Sequence, residues 1–201
     1  MSSESFPTRG RDGARVERNF FPPKATIKCI GDRLFRSQAA RDMGCLLDVD
    51  PEVESWACQP LQLKVRDQIH VPDFLVTYLT TRMCLLDACE AGGDFAISEA
   101  AASMGYSHRF VTREEREGGW RLRNARDLLR YGNYRCPLGD RIRVIAALDE
   151  VGSFSVAEGL GLFREISPMA GLASLVLQRI LSVDLDEELI NPDTVVRRGE
   201  R

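Results

Sequence analysis

Apolar residues recur along this chain with two periods, and the switches between them predict its elements. From Leu34 to Asp48 the spacing is helical: Ala39, Ala40, Met43, Leu46 and Leu47 share a face, while Arg36, Arg41 and Asp42 fall mainly elsewhere. Asp50-Pro51 stops that helix. Val53 to Trp56 reads as a short strand, Leu61 to Val65 alternates as a second, and Arg66 to His70 reads as a polar turn. Asp73–Tyr78 and Met83–Cys89 then predict two strands joined by Leu79-Thr80-Thr81-Arg82. Pro72 precedes the first of these, where a missing N–H costs little. After the breaker Ala91-Gly92-Gly93, an alanine-rich helix runs from Asp94 to Met104, with Asp94 or Ser98 as its cap and Gly105 at its left-handed end. Tyr106–Thr112 predicts a further strand, and Thr112-x-x-Glu115 fits a capping box. Arg121–Tyr131 is a helix with Leu122, Ala125, Leu128 and Leu129 on one side and arginines on the other.

Past Tyr134-Arg135-Cys136-Pro137 the pattern changes. Three helical runs follow, Leu138–Val151, Ser155–Phe163 and Pro168–Leu181, and Val183–Leu185 with Val195-Val196 forms a terminal hairpin. Three short helices with a small β-wing predict a winged-helix-like module. The expected organisation is a mobile arm over residues 1–31, an α/β domain over 32–135 and a helical, winged-helix-like domain over 136–201.

Composition narrows the class. With 44% apolar and 28% charged residues, 201 residues are enough for one or two ordinary globular domains. No run spans a bilayer, and the polar N-terminus is no secretory signal, so the expected location is the cytoplasm, without a membrane partner. Six cysteines, at 29, 45, 58, 84, 89 and 136, include no CxxC pair. His70 and His108 complete no zinc spacing, which leaves buried free thiols as the expectation. The net charge of −3 argues against coating by nucleic acid. Between Arg109 and Arg143, however, ten arginines face five acids. On the helix, Arg121, Arg123, Arg126 and Arg130 include i, i+3 and i+4 neighbours and are candidate DNA contacts, or else a solvated face.

The candidate chemistry lies in Val71–Cys89. Strand alternation puts Asp87 and Cys89 on one face, and Asp73, heading the neighbouring strand, can lie beside them. Carboxylates placed so are how many nucleases hold a divalent cation. A surface hairpin with solvated acids has the same pattern.

Seven elements in order, Phe35-Arg36-Ser37 with Ala40-Arg41-Asp42, LLDVDPEVESWACQP, HVPDFLV, LLDAC and the later VTREE, RLRNARDLLRY and NPDTVV, resemble the TnsA endonuclease family from residue 32 onward. The resemblance implies a restriction-endonuclease-like mixed-sheet core with a winged-helix-like C-terminal domain. It also implies Mg²⁺, transposon-end DNA as substrate, and as partners a DDE-type transposase and an ATP-dependent transposition regulator. In that family a helix Glu and the Asp of the PDF strand hold the metal, and a lysine closes an acid-x-Lys strand. Here Asp73 matches the PDF aspartate and Asp87 the strand acid. Ala40 stands where the helix Glu belongs and Cys89 where the lysine belongs. Neither can replace the lost group, and losing one transition-state donor alone costs roughly 10²–10³-fold in rate.

Of the substitutes, Asp42 lies about 200° around the helix from Ala40 and Glu90 points away from Cys89. Lys64 is the candidate displaced cation. Three functions follow as expectations: an impaired nuclease serving as a structural or DNA-binding transposition subunit, an active Mg²⁺ endonuclease using Asp73, Asp87 and Lys64, or a regulatory DNA-binding protein.

Overall fold

The computed structural model of the chain describes residues 21–199 and is mixed α/β. Its first lobe is organised by one helix and one sheet. Helix α1 (Gln38–Val49) begins where the Ser37 hydroxyl accepts from the Ala40 N–H, four residues later than the apolar spacing predicts. Strands β1 (Val53–Cys58), β4 (Phe74–Tyr78), β5 (Met83–Ala88) and β6 (Ser107–Val111) lie side by side in that order. The first three are antiparallel, with Cys58 opposite Phe74 and Phe74 opposite Leu86. β6 runs parallel to β5, which requires the crossover that α2 (Phe95–Ser103) supplies. Asp94 caps α2, and Gly105 takes the positive φ just beyond it.

The sheet is covered on both faces. On one, Ala40, Met43 and Leu47 of α1 pack on Val53, Trp56, Phe74, Val76, Leu86 and Val111. On the other, Leu85 meets Ala101 of α2 and Leu63. Leu63 belongs to a separate hairpin, β2 (Leu63–Val65) and β3 (Gln68–His70), so the expected polar turn at Arg66–His70 contains a strand. β3 is short and largely exposed, which is why its residues carry no apolar signal.

After β6, the Thr112–Glu115 capping box forms in full and opens a short helix, α3 (Arg113–Glu117), which the pattern alone does not delimit. Helix α4 (Arg121–Leu129) follows. The second lobe runs α5 (Leu138–Val151), β7 (Ser153–Ser155), α6 (Val156–Leu160), α7 (Pro168–Leu177), β8 (Leu181–Ser182) and β9 (Val195–Arg198). Its sheet is antiparallel in the order β7-β9-β8. The terminal pairing therefore starts at Leu181 rather than Val183 and includes a third strand, β7, which three residues are too few to announce.

Contacts cross both boundaries that the composition suggests. Residues 1–20 of the expected arm lie outside the described residues. Residues 21–31 are fastened down: the Ile27 and Lys28 N–H groups donate to Asp48, and Cys29 bridges Trp56. A third core cluster also crosses residue 135, joining Cys45 of α1 and Leu122, Ala125 and Leu129 of α4 to Ala173 and Leu177 of α7. Arg179 adds hydrogen bonds to the Asp50 and Val53 carbonyls. Among the described residues no helix is long and apolar enough to cross a membrane.

Candidate functional site

Asp73 and Asp87 do meet, because β4 and β5 are adjacent and both side chains leave the sheet on the α2 side. Both residues are buried. The Asp73 N–H donates to Asp87 Oδ1 at 3.0 Å, and Asp73 Oδ2 accepts the Ala88 N–H at 2.9 Å. Arg36, from the segment leading into α1, donates through Nε and Nη2 to Asp73 Oδ1 at 2.9 and 2.7 Å, and its Nη2 lies 3.4 Å from Asp87 Oδ1.

The remaining oxygen of Asp87 collects both histidines of the chain. His70 Nε2 lies 2.7 Å from Oδ2, and His108 Nε2 lies 2.9 Å from the same atom. His108 reaches it from β6, where it pairs with Leu85 and so shares a face with Asp87, two pairs along. Its side chain is fully buried, packed edge-on to Phe110. Ser98 of α2 holds its Nδ1 at 2.9 Å. His70 ends the β2–β3 hairpin, with about a quarter of its side chain exposed. Burial pushes the Asp87 carboxyl up, but hydrogen bonds from His108 and His70 outweigh it and leave the carboxyl below its usual value. A carboxylate only accepts, so each Nε2 facing it is a donor, and a neutral His108 ring accepts the Ser98 hydroxyl proton at Nδ1.

Sequence spacing misses both histidines because 38 residues and a crossover separate them. The signal that finds them is strand register. Lys64, the expected displaced cation, and the two replaced motif positions, Ala40 and Cys89, lie elsewhere or are otherwise engaged. Lys64 is exposed on β2, paired with Ile69, on the opposite face of the hairpin from Leu63 and His70, so the structure does not bring it to the aspartates. Ala40 is buried in the core against the sheet. The Cys89 sulfur accepts the Gly92 N–H at 3.2 Å, tying the loop after β5.

The residues present do not fit a Mg²⁺ ion held as the resemblance implies. A hard cation wants several carboxylate oxygens. Here the third carboxylate is an alanine, and the guanidinium of Arg36 already occupies Asp73 and lies 3.4 Å from Asp87. Among the described residues no three His, Cys, Asp or Glu side chains stand at metal-ligand spacing.

The arginine helix divides as well. Arg123, Arg126 and Arg130 fall within about 60° of one another around α4, and Arg121 lies well away from them. Arg121 forms a two-point pair with Asp186 at 2.7 and 2.6 Å. Arg126 donates to the buried Asp42 at 3.0 Å, and Arg130 lies 3.5 Å from Asp127. Arg123 sits over the Trp120 ring at 5.9 Å. Arg121 and Arg126 therefore join α4 to its neighbours, which leaves Arg123 and Arg130 as the freer charges.

What fold and site define is a mixed α/β protein in which two buried carboxylates on adjacent strands are met by one buried imidazole, one part-exposed imidazole and an exposed guanidinium. In comparisons with known proteins, no family model matches the chain and no curated protein matches it.

Proposed function

We propose that this chain is a TnsA-like subunit of a DNA transposition machinery whose Mg²⁺ nuclease site is impaired. It acts by binding transposon-end DNA, a DDE-type transposase or an ATP-dependent transposition regulator. The observation that carries the reading is the Asp73–Asp87 pair on adjacent antiparallel strands, bridged by Arg36 where a metal would be needed. The order helix, three antiparallel strands, crossover helix, parallel strand supports a restriction-endonuclease-like core. The order helix, strand, helix, helix, strand, strand supports a winged-helix-like second lobe. Lys64, facing away, weakens the reading as an active nuclease. The reading as a free-standing DNA regulator is weakened by α7, which is buried from Ala170 to Leu175 and cannot enter a groove as it stands.

The test is a plasmid-cleavage assay with Mg²⁺ beside a pull-down by a DDE-type transposase encoded in the same gene cluster. The expected outcome is a stable complex without strand breaks. Cleavage by the unaltered chain would overturn the impaired-nuclease part, and no association with the transposase would overturn the transposition part. If α4 meets phosphate, the double variant Arg123→Ala/Arg130→Ala binds duplex DNA more weakly and lowers the salt slope by about 2.

A further inference from the structure

Two of the six free cysteines meet at the β1 edge of the first sheet. Cys29 pairs in parallel with Trp56: the Ile30 N–H donates to the Trp56 carbonyl at 2.8 Å, and the Trp56 N–H to the Lys28 carbonyl at 3.1 Å. The Cys29 side chain therefore leaves on the same face as Trp56. Strand alternation puts Cys58, two residues further along β1, on that face too. Both thiols are part-exposed and pack against the α1 core. We infer that Cys29 and Cys58 are a thiol–disulfide pair, which a hydroperoxide closes. The pair is independent of the transposition reading.

Cys58 is the attacking thiol. The hydrogen bond from the Cys29 thiol outweighs burial and, with the Leu34 N–H, holds Cys58 below its usual value; Cys29, the donor, is held above. The thiolate is the nucleophile in cysteine chemistry. Burial pushes Cys45 up to about 12 and Cys136 up to about 11, which sets them apart from Cys58. The Cys58 thiolate attacks the O–O bond of hydrogen peroxide and keeps one oxygen as sulfenic acid. The other oxygen leaves as hydroxide and takes the proton that Cys58 released, giving water. The Cys29 sulfur then attacks the sulfenic sulfur and breaks its S–O bond. The departing hydroxide takes the Cys29 proton as a second water, and the disulfide is closed. Two thiols lose two electrons, and one peroxide gains them.

Diagonal neighbours on paired strands ordinarily stand about 7–8 Å apart at Cα, and a disulfide draws them within about 7 Å. The Cys29 side supplies that movement. Ile30 and Gly31, which follow it, are exposed, and Gly31 turns at a φ of 80° with open space where a Cβ would be. Closure fastens residues 21–31 to β1. It also fixes the start of the stretch that carries Arg36 to Asp73.

The experiment exposes the reduced full chain to hydrogen peroxide, counts its free thiols and maps its peptides without reduction. The expected result is the loss of two of the six thiols, a mass lower by two hydrogens, and a Cys29–Cys58 peptide within one chain, all reversed by dithiothreitol. In Cys29→Ser, Cys58 stops at the sulfenic acid, which dimedone traps. In Cys58→Ser, the same exposure leaves Cys29 unoxidised. Retained circular dichroism confirms the fold of each variant, and the map of the unaltered chain stands without them. Thiols that survive an exposure sufficient to oxidise free cysteine would overturn the inference. So would a bond to Cys89 or another cysteine, a bond between chains, or sulfenic acid on Cys29 instead of Cys58.

Discussion

Two buried aspartates, one in each lobe, are satisfied in different currencies. Asp140, in the first turn of α5, is fully buried and accepts the backbone N–H groups of Arg164, Glu165 and Ile166 at 2.8, 2.9 and 3.2 Å, together with a bond from Arg143. Asp87 takes one backbone N–H and otherwise meets side chains: two imidazoles and the edge of a guanidinium. Backbone donors cannot change sign, so Asp140 can do one thing, which is to pin the 164–166 loop onto α5. Imidazoles can donate, accept or ligate, so Asp87 sits in a cluster that can be rearranged. Burial alone does not mark a functional carboxylate. The chemistry of its partners does.

Asparagine substitution breaks this comparison most directly. In Asp140→Asn, either placement of the amide points NH₂ at a fixed donor, and the Arg143 charge loses its partner. The expected loss is about 3 kcal/mol of folding stability, read from the midpoint of urea unfolding. In Asp87→Asn, Oδ1 keeps the Asp73 N–H, and both imidazoles can shift their proton to Nδ1 and accept from the new NH₂. The expected loss is only about 1 kcal/mol, by the same measurement. Equal losses at the two sites would remove the distinction.

Legibility in the sequence follows the same line. Elements with a long apolar period, such as α1, β4, β5 and α5, are visible because burial imposes the spacing. The capping box at Thr112 is visible because it is local. β3, β7 and α3 are not, since three to five residues carry little periodicity. Asp73 and Asp87 are legible as a pair through adjacent strands. His70 and His108 are not, because a hairpin and a parallel crossover bring them in from either side. Arg126 reads as a surface charge, yet its partner is the buried Asp42, 84 positions away. No helical wheel of α4 alone contains that partner.

A smaller effect sharpens the comparison by adding a third buried aspartate of opposite sign. Burial acts first on Asp140 too, but its backbone bonds to Arg164 and Glu165 win, and its carboxyl, like that of Asp87, lies below the usual value. The stabilisation from such a group is fully present above the unfolded-state pKa of about 3.9 and is lost as pH falls through the lower folded value. Asp48 is buried with Oδ1 accepting from the Ile27 and Lys28 N–H groups and from Trp56 Nε1, while Oδ2 has no partner among the described residues. Desolvation therefore dominates, and its carboxyl is raised. Ionising it costs stability as pH climbs from about 3.9 to the folded value. Urea unfolding at several pH values from 3 to 7 then separates the variants by slope. Relative to the unaltered chain, Asp140→Asn and Asp87→Asn lose ground as pH rises. Asp48→Asn gains, because it removes an ionisation that its buried, half-satisfied site opposes. A common slope for all three would mean that partner chemistry does not set how these carboxylates respond to protons.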